Sequence, residues 1–64
     1  MTPIIRDMRR ADIPAVAALE AEIYPQPWSP RVFFDELAMD SRVYVVAHDD
    51  EGHILGYGGL LLVE

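Results

Sequence analysis

Three glycines near position 58 are the residues whose spacing comes nearest to a ligand-binding motif. Gly56, Gly58 and Gly59 lie in "LGYGGLL", and a glycine-rich loop followed by a helix can bind phosphate through backbone N–H groups. The sixth position of a G-x-G-x-x-G pattern that starts at Gly56 is Leu61, and no helical pattern follows it in the sequence. Glycines that permit a strand bulge or twist are therefore the favoured interpretation.

The side chains that could bind a metal ion or move a proton are isolated from one another in the sequence. His48 and His53 flank a turn, but no third ligand with zinc-site spacing accompanies them, so solvated turn residues are favoured. Asp35 and Glu36 are neighbours in a helical pattern and point apart, which disfavours a shared proton. Ser29 precedes a proline and suits a helix cap better than a nucleophile. These patterns predict no metal site and no catalytic residue.

Composition and charge limit the partners of the chain. The 64 residues include 11 acidic side chains and 5 arginines, without lysine, and the formal net charge is −6, which disfavours direct binding to nucleic acid. There is no cysteine, and the 52% apolar content is typical of a globular interior. The charged stretch "MTPIIRDMRR" is unlike a secretory signal, and no apolar run has the length of a membrane span. We expect a soluble cytoplasmic protein without a membrane partner.

Changes in apolar periodicity predict five elements in one structural unit. The strand-like stretches are rich in β-branched and aromatic residues, whereas the helical stretches repeat apolar residues at intervals of three and four. The order of elements predicts an α+β fold with a partly antiparallel sheet. The elements are a strand over 3–9, helices over 11–23 and 30–39, and a hairpin of two strands with its turn at 49–52.

The helix boundaries follow from capping residues and prolines. Asp12 followed by Pro14 suits the start of the first helix, because an acceptor side chain and a missing N–H cost little there. The apolar face of this helix is predicted from its spacing. Its members are Ile13, Val16, Leu19 and Ile23. Prolines at 25 and 27 end the helix, and Ser29 is expected to cap the next one.

The apolar stretch at 60–63 is predicted to lie on an unprotected sheet edge. "GGLLLV" combines high β-propensity with no charge, and natural proteins protect such edges. We therefore expect residues 1–64 to be the amino-terminal part of a longer single domain, truncated after its third strand. In that domain a further strand would pair with residues 54–63.

The junction "YPQPW" contains two prolines and two aromatic residues, which is more than a turn between two helices requires. Tyr24 and Trp28 are large amphipathic rings, and Pro25 and Pro27 reduce the entropy lost in holding those rings in place. One interpretation is a preorganised binding lip. The other, which the residues alone favour slightly, is that Trp28 fills the helix junction and packs on Phe33 or the sheet.

The words "IIRDMRRADIPAVAALE", "YPQPWSPRVFFDEL" and "ILGYGGLLLV" together resemble the amino-terminal half of a GCN5-related N-acetyltransferase. The proline and tryptophan loop and the helix after it are similar to those of the bacterial ribosomal-protein alanine N-acetyltransferases, which acetylate the N-terminal alanine of ribosomal protein S18. The resemblance covers all 64 residues in order. It implies the first half of an acyl-CoA N-acyltransferase fold with a mixed, mostly antiparallel sheet.

The resemblance also implies a co-substrate, a partner and a set of binding residues. In these relatives the loop between the first two helices lines the entrance for the acceptor peptide, so Tyr24, Pro25, Gln26 and Trp28 become candidates for the acceptor-side wall. Relatives often have an aromatic residue where this chain has Gln26, which affects the acceptor sequence. The implied partner is the N-terminus of ribosomal protein S18, with no nucleic acid, membrane or metal.

Acetyl-CoA is the implied co-substrate, but its binding loop is missing from this chain. The family binds it through an Arg/Gln-x-x-Gly-x-Gly/Ala run, which this sequence lacks. The glutamate and tyrosine to which the family's acid and base roles are attributed would also lie beyond Glu64, so neither a catalytic nor a cofactor-binding residue is assigned.

Two other functions remain open at this stage. The complete enzyme could acetylate a small-molecule amine, because related enzymes do so. Alternatively, the chain could be a non-catalytic peptide-binding module that keeps the aromatic lip without a cofactor half.

We predict that the isolated chain of 64 residues neither binds acetyl-CoA tightly nor transfers acetyl groups, because it lacks the backbone cradle for the pyrophosphate. Isothermal titration calorimetry measures this directly. Saturable micromolar binding would contradict the prediction.

Overall fold

The computed structural model describes residues 2–61. Two helices pack against a three-stranded sheet, in the order strand, helix, helix, strand, strand, so the predicted α+β class and element order are confirmed. The elements are β1 (Ile4–Asp7), a 3-10 turn (Arg10–Asp12), α1 (Ile13–Ile23), α2 (Pro30–Leu37), β2 (Arg42–His48) and β3 (Ile54–Leu61).

The sheet has the strand order β1, β2, β3, and both pairings are antiparallel. β1 pairs with the end of β2, from Ile4 opposite His48, and β3 pairs along all of β2, from Arg42 opposite Leu61. β3 is an edge strand among the described residues, and Leu60 is 68% exposed there. The predicted apolar edge is thus present up to Leu61. The rest of that prediction, positions 62 and 63, lies outside the described residues.

The core forms where α1 and α2 lie on the sheet. Packing of α1 against β3 and of α2 against β2 removes large side chains from water, which is the main favourable contribution to folding. α1, α2, β2 and the position directly after β1 contribute the buried apolar residues. These residues are Met8, Ile13, Val16, Phe33 and Val46.

The predicted apolar face of α1 is correct in its first half and wrong in its second. Ile13 and Val16 are fully buried, but Ile23 is 60% exposed, and the position that continues the buried face is occupied by Glu20. At 100° per residue, Glu20 lies between Ile13 and Val16 on the helix circumference, whereas Leu19 lies about 60° beyond Val16. The buried stripe therefore carries a carboxylate.

The starts of the two helices differ in how their N–H groups are satisfied. Pro14 is in the first turn of α1 as predicted, but the Asp12 side chain makes no capping bond to that helix. Its carboxylate instead accepts Nη1 and Nη2 of Arg6 at 2.7 and 2.8 Å and the Arg9 N–H at 2.8 Å. The prediction for Ser29 is confirmed, because its hydroxyl oxygen accepts the Val32 N–H of α2.

The hairpin turn and its bulge follow the predicted pattern. Gly52 has φ +88°, a conformation that L side chains rarely adopt. Ala47 pairs with Gly56 while His48 pairs with Ile54, so Leu55 is the extra residue of a bulge. The interpretation of the strand glycines as bulge or twist positions is thereby confirmed next to Gly56.

We expect the bond between Arg6 and Asp12 to make stability depend on pH. The Arg6 hydrogen bonds lower the pKa of Asp12 from 3.8 to about 2, so the contribution is present above pH 4 and is lost as the pH falls toward 2. Asp12→Asn should lower the free energy of unfolding by about 1–2 kcal/mol at pH 7, because solvent screens the partly exposed guanidinium.

Urea unfolding at pH 7 and pH 3 measures this effect, and the difference between Asp12→Asn and the unmodified protein should shrink at pH 3. Asp35→Asn is the control, because the Asp35 side chain is 60% exposed in its pair with Arg31. A loss of stability for Asp12→Asn that is the same at both pH values would contradict the assignment.

Candidate functional site

An open cleft of about 580 Å³ lies between the loop at 24–29 and the second half of β3. It is lined by residues of the loop, α1, α2 and β2, and by the last five residues of β3, from Tyr57 to Leu61. The cleft is larger than a water site and falls within the size range of ligand sites. The following side chains define its chemistry.

The loop contributes three of the four predicted binding residues to this cleft. Tyr24, Gln26 and Trp28 line it, whereas Pro25 is exposed and is not among the lining residues. Tyr24 is 52% exposed and Trp28 is 42% exposed. The structure therefore places aromatic surface and an amide side chain at the rim, available to a ligand.

Trp28 is both packed and accessible, so the two interpretations of the loop are compatible. Its ring lies edge-on to Phe33 with centroids 5.3 Å apart, and Phe33 lies edge-on to Tyr57 at 6.0 Å. Edge-to-face contacts of this kind stabilise aromatic pairs beyond their buried area. The buried Phe33 ring thus contacts both the loop, through Trp28, and the sheet, through Tyr57.

Glu20 lies at the base of the cleft and was not among the residues that the sequence pointed to. Its residue exposure is 8%. One carboxylate oxygen accepts the Tyr57 hydroxyl of β3, and the other accepts the Trp28 N–H of the loop at 2.9 Å. The sequence signal that could have found it is an acidic residue on the apolar stripe of α1.

A second carboxylate, that of Glu36, also lines the cleft. Glu36 Oε1 accepts the Tyr44 hydroxyl at 2.7 Å and Arg42 Nε at 2.9 Å. Asp35, its neighbour in sequence, bonds instead to Arg31 on the exposed side of α2. The two acids point apart as predicted, and the functional candidate of the pair is Glu36, together with Tyr44 and Arg42.

Both tyrosines are held as neutral hydrogen-bond donors. Burial and then the Glu36 carboxylate raise the pKa of Tyr44 to about 12, and burial and the Glu20 carboxylate raise the pKa of Tyr57 further above its ordinary value. The bond from Tyr44, followed by that from Arg42, lowers the pKa of Glu36. At neutral pH the cleft therefore contains ionised Glu36 beside protonated phenols.

The Tyr44 ring occupies the space above Gly59. A Cβ atom at Gly59 would lie 2.7 Å from Tyr44 Cδ1, whereas a Cβ at Gly58 would meet nothing within 4 Å. Close approach of a side chain is one reason for glycine inside a strand. Gly59 thus permits the Tyr44 position from which its hydroxyl reaches Glu36.

This arrangement favours a cationic ligand with an apolar part. The lining contains two carboxylates, Glu20 and Glu36, and one guanidinium, Arg42. Its net negative charge attracts an ammonium group, and exposed aromatic rings of the loop can contact a cation or an alkyl chain. Within residues 2–61, no three His, Cys, Asp or Glu side chains are grouped to hold a metal ion. In that same part of the chain, neither helix is long and apolar enough to cross a membrane.

Comparison with known proteins agrees with the resemblance inferred from the sequence. The chain is similar to an N-acetyltransferase. Over 59 residues it is 32% identical to a Bacillus subtilis (strain 168) protein provisionally named ribosomal protein bS18-alanine N-acetyltransferase. The match covers 92% of this chain and 39% of that protein, so the chain spans about two fifths of its relative. No family model and no solved structure matches the chain.

We predict that Gly59→Ala destabilises the protein by about 1–3 kcal/mol, because the added methyl group would overlap the Tyr44 ring. Gly58→Ala is the matched control and should change stability by less than about 0.5 kcal/mol. Thermal unfolding of both variants measures the difference. Equal effects at the two positions would show that the Tyr44 ring does not lie over Gly59.

Proposed function

We propose that residues 1–64 are the amino-terminal part of an N-acetyltransferase domain whose complete form transfers acetyl from acetyl-CoA to the N-terminal alanine of ribosomal protein S18. The similarity to the Bacillus protein supports the activity and the acceptor. The observation that carries the proposal is the cleft, in which an aromatic rim stands over the two carboxylates Glu20 and Glu36. On the same ground we propose a cytoplasmic location, because the proposed acceptor is a ribosomal protein.

The charge of the cleft suits an acceptor that arrives as an ammonium ion. Glu36 is held ionised by its bonds to Tyr44 and Arg42, and its side chain is 18% exposed. A nearby carboxylate attracts a peptide N-terminus before that amine loses its proton and attacks the thioester. The net charge of −6 favours the approach of basic acceptors over acidic ones.

The shape of the cleft suits a peptide end. Tyr24 and Trp28 present exposed aromatic surface on one wall, and Leu60 and Leu61 present apolar surface on the opposite wall. Prolines at 25 and 27 restrict the loop, so less conformational entropy is lost when a peptide is held there. We propose that this loop, with Gln26 between the prolines, is the acceptor-side wall.

The described residues do not fit the phosphates of acetyl-CoA. Gly56, Gly58 and Gly59 lie inside β3, where their backbones pair with β2, so they form no open loop of N–H groups. The lining of the cleft next to them has two carboxylates and one guanidinium, Arg42, and this net negative charge disfavours phosphate. We therefore assign no cofactor contact and no catalytic step to residues 2–61.

The proposal is tested with the full-length protein, acetyl-CoA and a peptide that has the N-terminal sequence of mature S18. Mass spectrometry should find one acetyl group on the alanine amine, and a peptide with a blocked N-terminus should remain unmodified. A panel of polyamines and aminoglycosides is assayed in parallel. A kcat/KM that is higher for any of these amines than for the peptide would contradict the proposed acceptor.

The acceptor wall is tested with Trp28→Ala, which should raise KM for the peptide about tenfold with little change in kcat, because binding surface is lost equally from ground and transition states. Trp28→Phe should recover most of the affinity. Phe34→Ala is the control, because Phe34 is a partly exposed ring of α2 that contacts Arg10 outside the cleft. Equal KM values for Trp28→Ala and Phe34→Ala would contradict the assignment.

A further inference from the structure

Glu20 is a charged side chain on the buried face of a helix. It lies between Ile13 and Val16 on the circumference of α1 and is 8% exposed. Burying a carboxylate is unfavourable unless hydrogen bonds replace its water. Each oxygen of Glu20 has such a partner, one in the loop and one in the sheet.

Among the described residues, the bond from Trp28 N–H to Glu20 is the hydrogen bond that attaches residues 25–28 to the rest of the protein. On the N-terminal side of the loop, the Tyr24 N–H donates to the Glu20 backbone carbonyl, and this is the last hydrogen bond of α1. The segment after it begins with the Ser29 cap of α2. Between these two points the loop is held by this hydrogen bond and by the packing of the Trp28 ring on Phe33.

The same carboxylate reaches the opposite wall of the cleft. Tyr57 lies on β3 at the start of the stretch that forms that wall, and its hydroxyl donates to Glu20. Glu20 therefore bonds to both the loop and β3. Pro25 and Pro27 restrict the backbone of the loop. The single hydrogen bond at the Trp28 N–H therefore positions Trp28 together with the residues before it.

We propose that Glu20 is a positioning residue that fixes the acceptor-side wall against β3, through Trp28 N–H and the Tyr57 hydroxyl. This inference rests on the proposed function, in that the wall it fixes is the one that binds the peptide. Glu20 touches neither the acceptor nor the acetyl group in this role. It acts by holding other residues in place.

The isosteric change Glu20→Gln separates this role from simple packing. A carboxylate accepts on both oxygens, whereas an amide accepts on one and presents an NH2 group at the other. In Glu20→Gln the NH2 group either faces the Trp28 N–H or donates to the Tyr57 hydroxyl oxygen, whose own proton then loses its acceptor, and the negative charge that strengthened both bonds is absent. The volume of the side chain is unchanged, so loss of packing does not contribute.

The first measurement is hydrogen exchange at the Trp28 amide of the full-length protein by NMR, without substrate. Glu20→Gln should accelerate exchange of this amide about tenfold or more relative to unmodified protein, because a charged hydrogen bond is weakened. Glu22→Gln is the matched control, since Glu22 is exposed on the same helix, and should change it less than about twofold. Unchanged Trp28 exchange in Glu20→Gln would overturn the proposal.

The second measurement is peptide acetylation by Glu20→Gln, Tyr57→Phe and the double variant. We expect KM for the peptide to rise about fivefold in each single variant, with kcat changed less than about twofold, and the double variant to resemble the singles because both bonds serve one position. A fall in kcat with KM unchanged would overturn the positioning role. Fully additive effects of the two substitutions on KM would overturn it as well. Glu20→Ala is not used, because it leaves a cavity and could fail to fold.

The two proposals fail in different ways. If the unmodified protein acetylates no peptide, the proposed function is wrong, and the role in binding the acceptor is overturned with it. The exchange measurement still decides whether Glu20 fixes the loop. If the unmodified protein is active while Glu20→Gln matches Glu22→Gln in exchange and KM, the positioning role alone is wrong.

Discussion

A carboxylate on the buried face of a helix must have its lone pairs occupied, and in this protein the groups that occupy them come from two different elements. Glu20 receives the Trp28 N–H from the loop and the Tyr57 hydroxyl from β3. The same two residues are also connected through edge-on ring contacts, from Trp28 to Phe33 and from Phe33 to Tyr57. Because a partly satisfied buried charge is costlier than none, the loop and the strand are both constrained to meet at one point.

A second bridge of the same kind forms at the other end of the cleft. Glu36 of α2 receives the Tyr44 hydroxyl of β2, just as Glu20 of α1 receives that of Tyr57. Each helix is thus joined to the sheet by one carboxylate and one phenol, and the phenols stay neutral because their pKa values are raised. Gly59 belongs to this arrangement, since a side chain there would displace the Tyr44 ring.

These bridges give the cleft an anionic base and leave its rim apolar. Such a site favours an ammonium ion attached to a short apolar segment, and a peptide that starts with alanine has that composition. The Bacillus protein to which the chain is similar is provisionally named for an alanine acceptor of this kind, and the match covers 39% of that protein. Within residues 2–61 the glycines lie in β3 or in the hairpin turn and form no phosphate-binding loop.

The sequence by itself determined the local structure of this protein: the α+β element order, the prolines that end α1, the Ser29 cap and the glycine turn at 52. Each of these depends on neighbouring residues, as periodicity and backbone geometry do. It also pointed to the loop at 24–28. The tertiary structure alone decided that Glu20, rather than Ile23, completes the buried face, and that its partner is Tyr57, 37 positions away. No local pattern encodes that bond, because a buried carboxylate is favourable only when distant donors reach it.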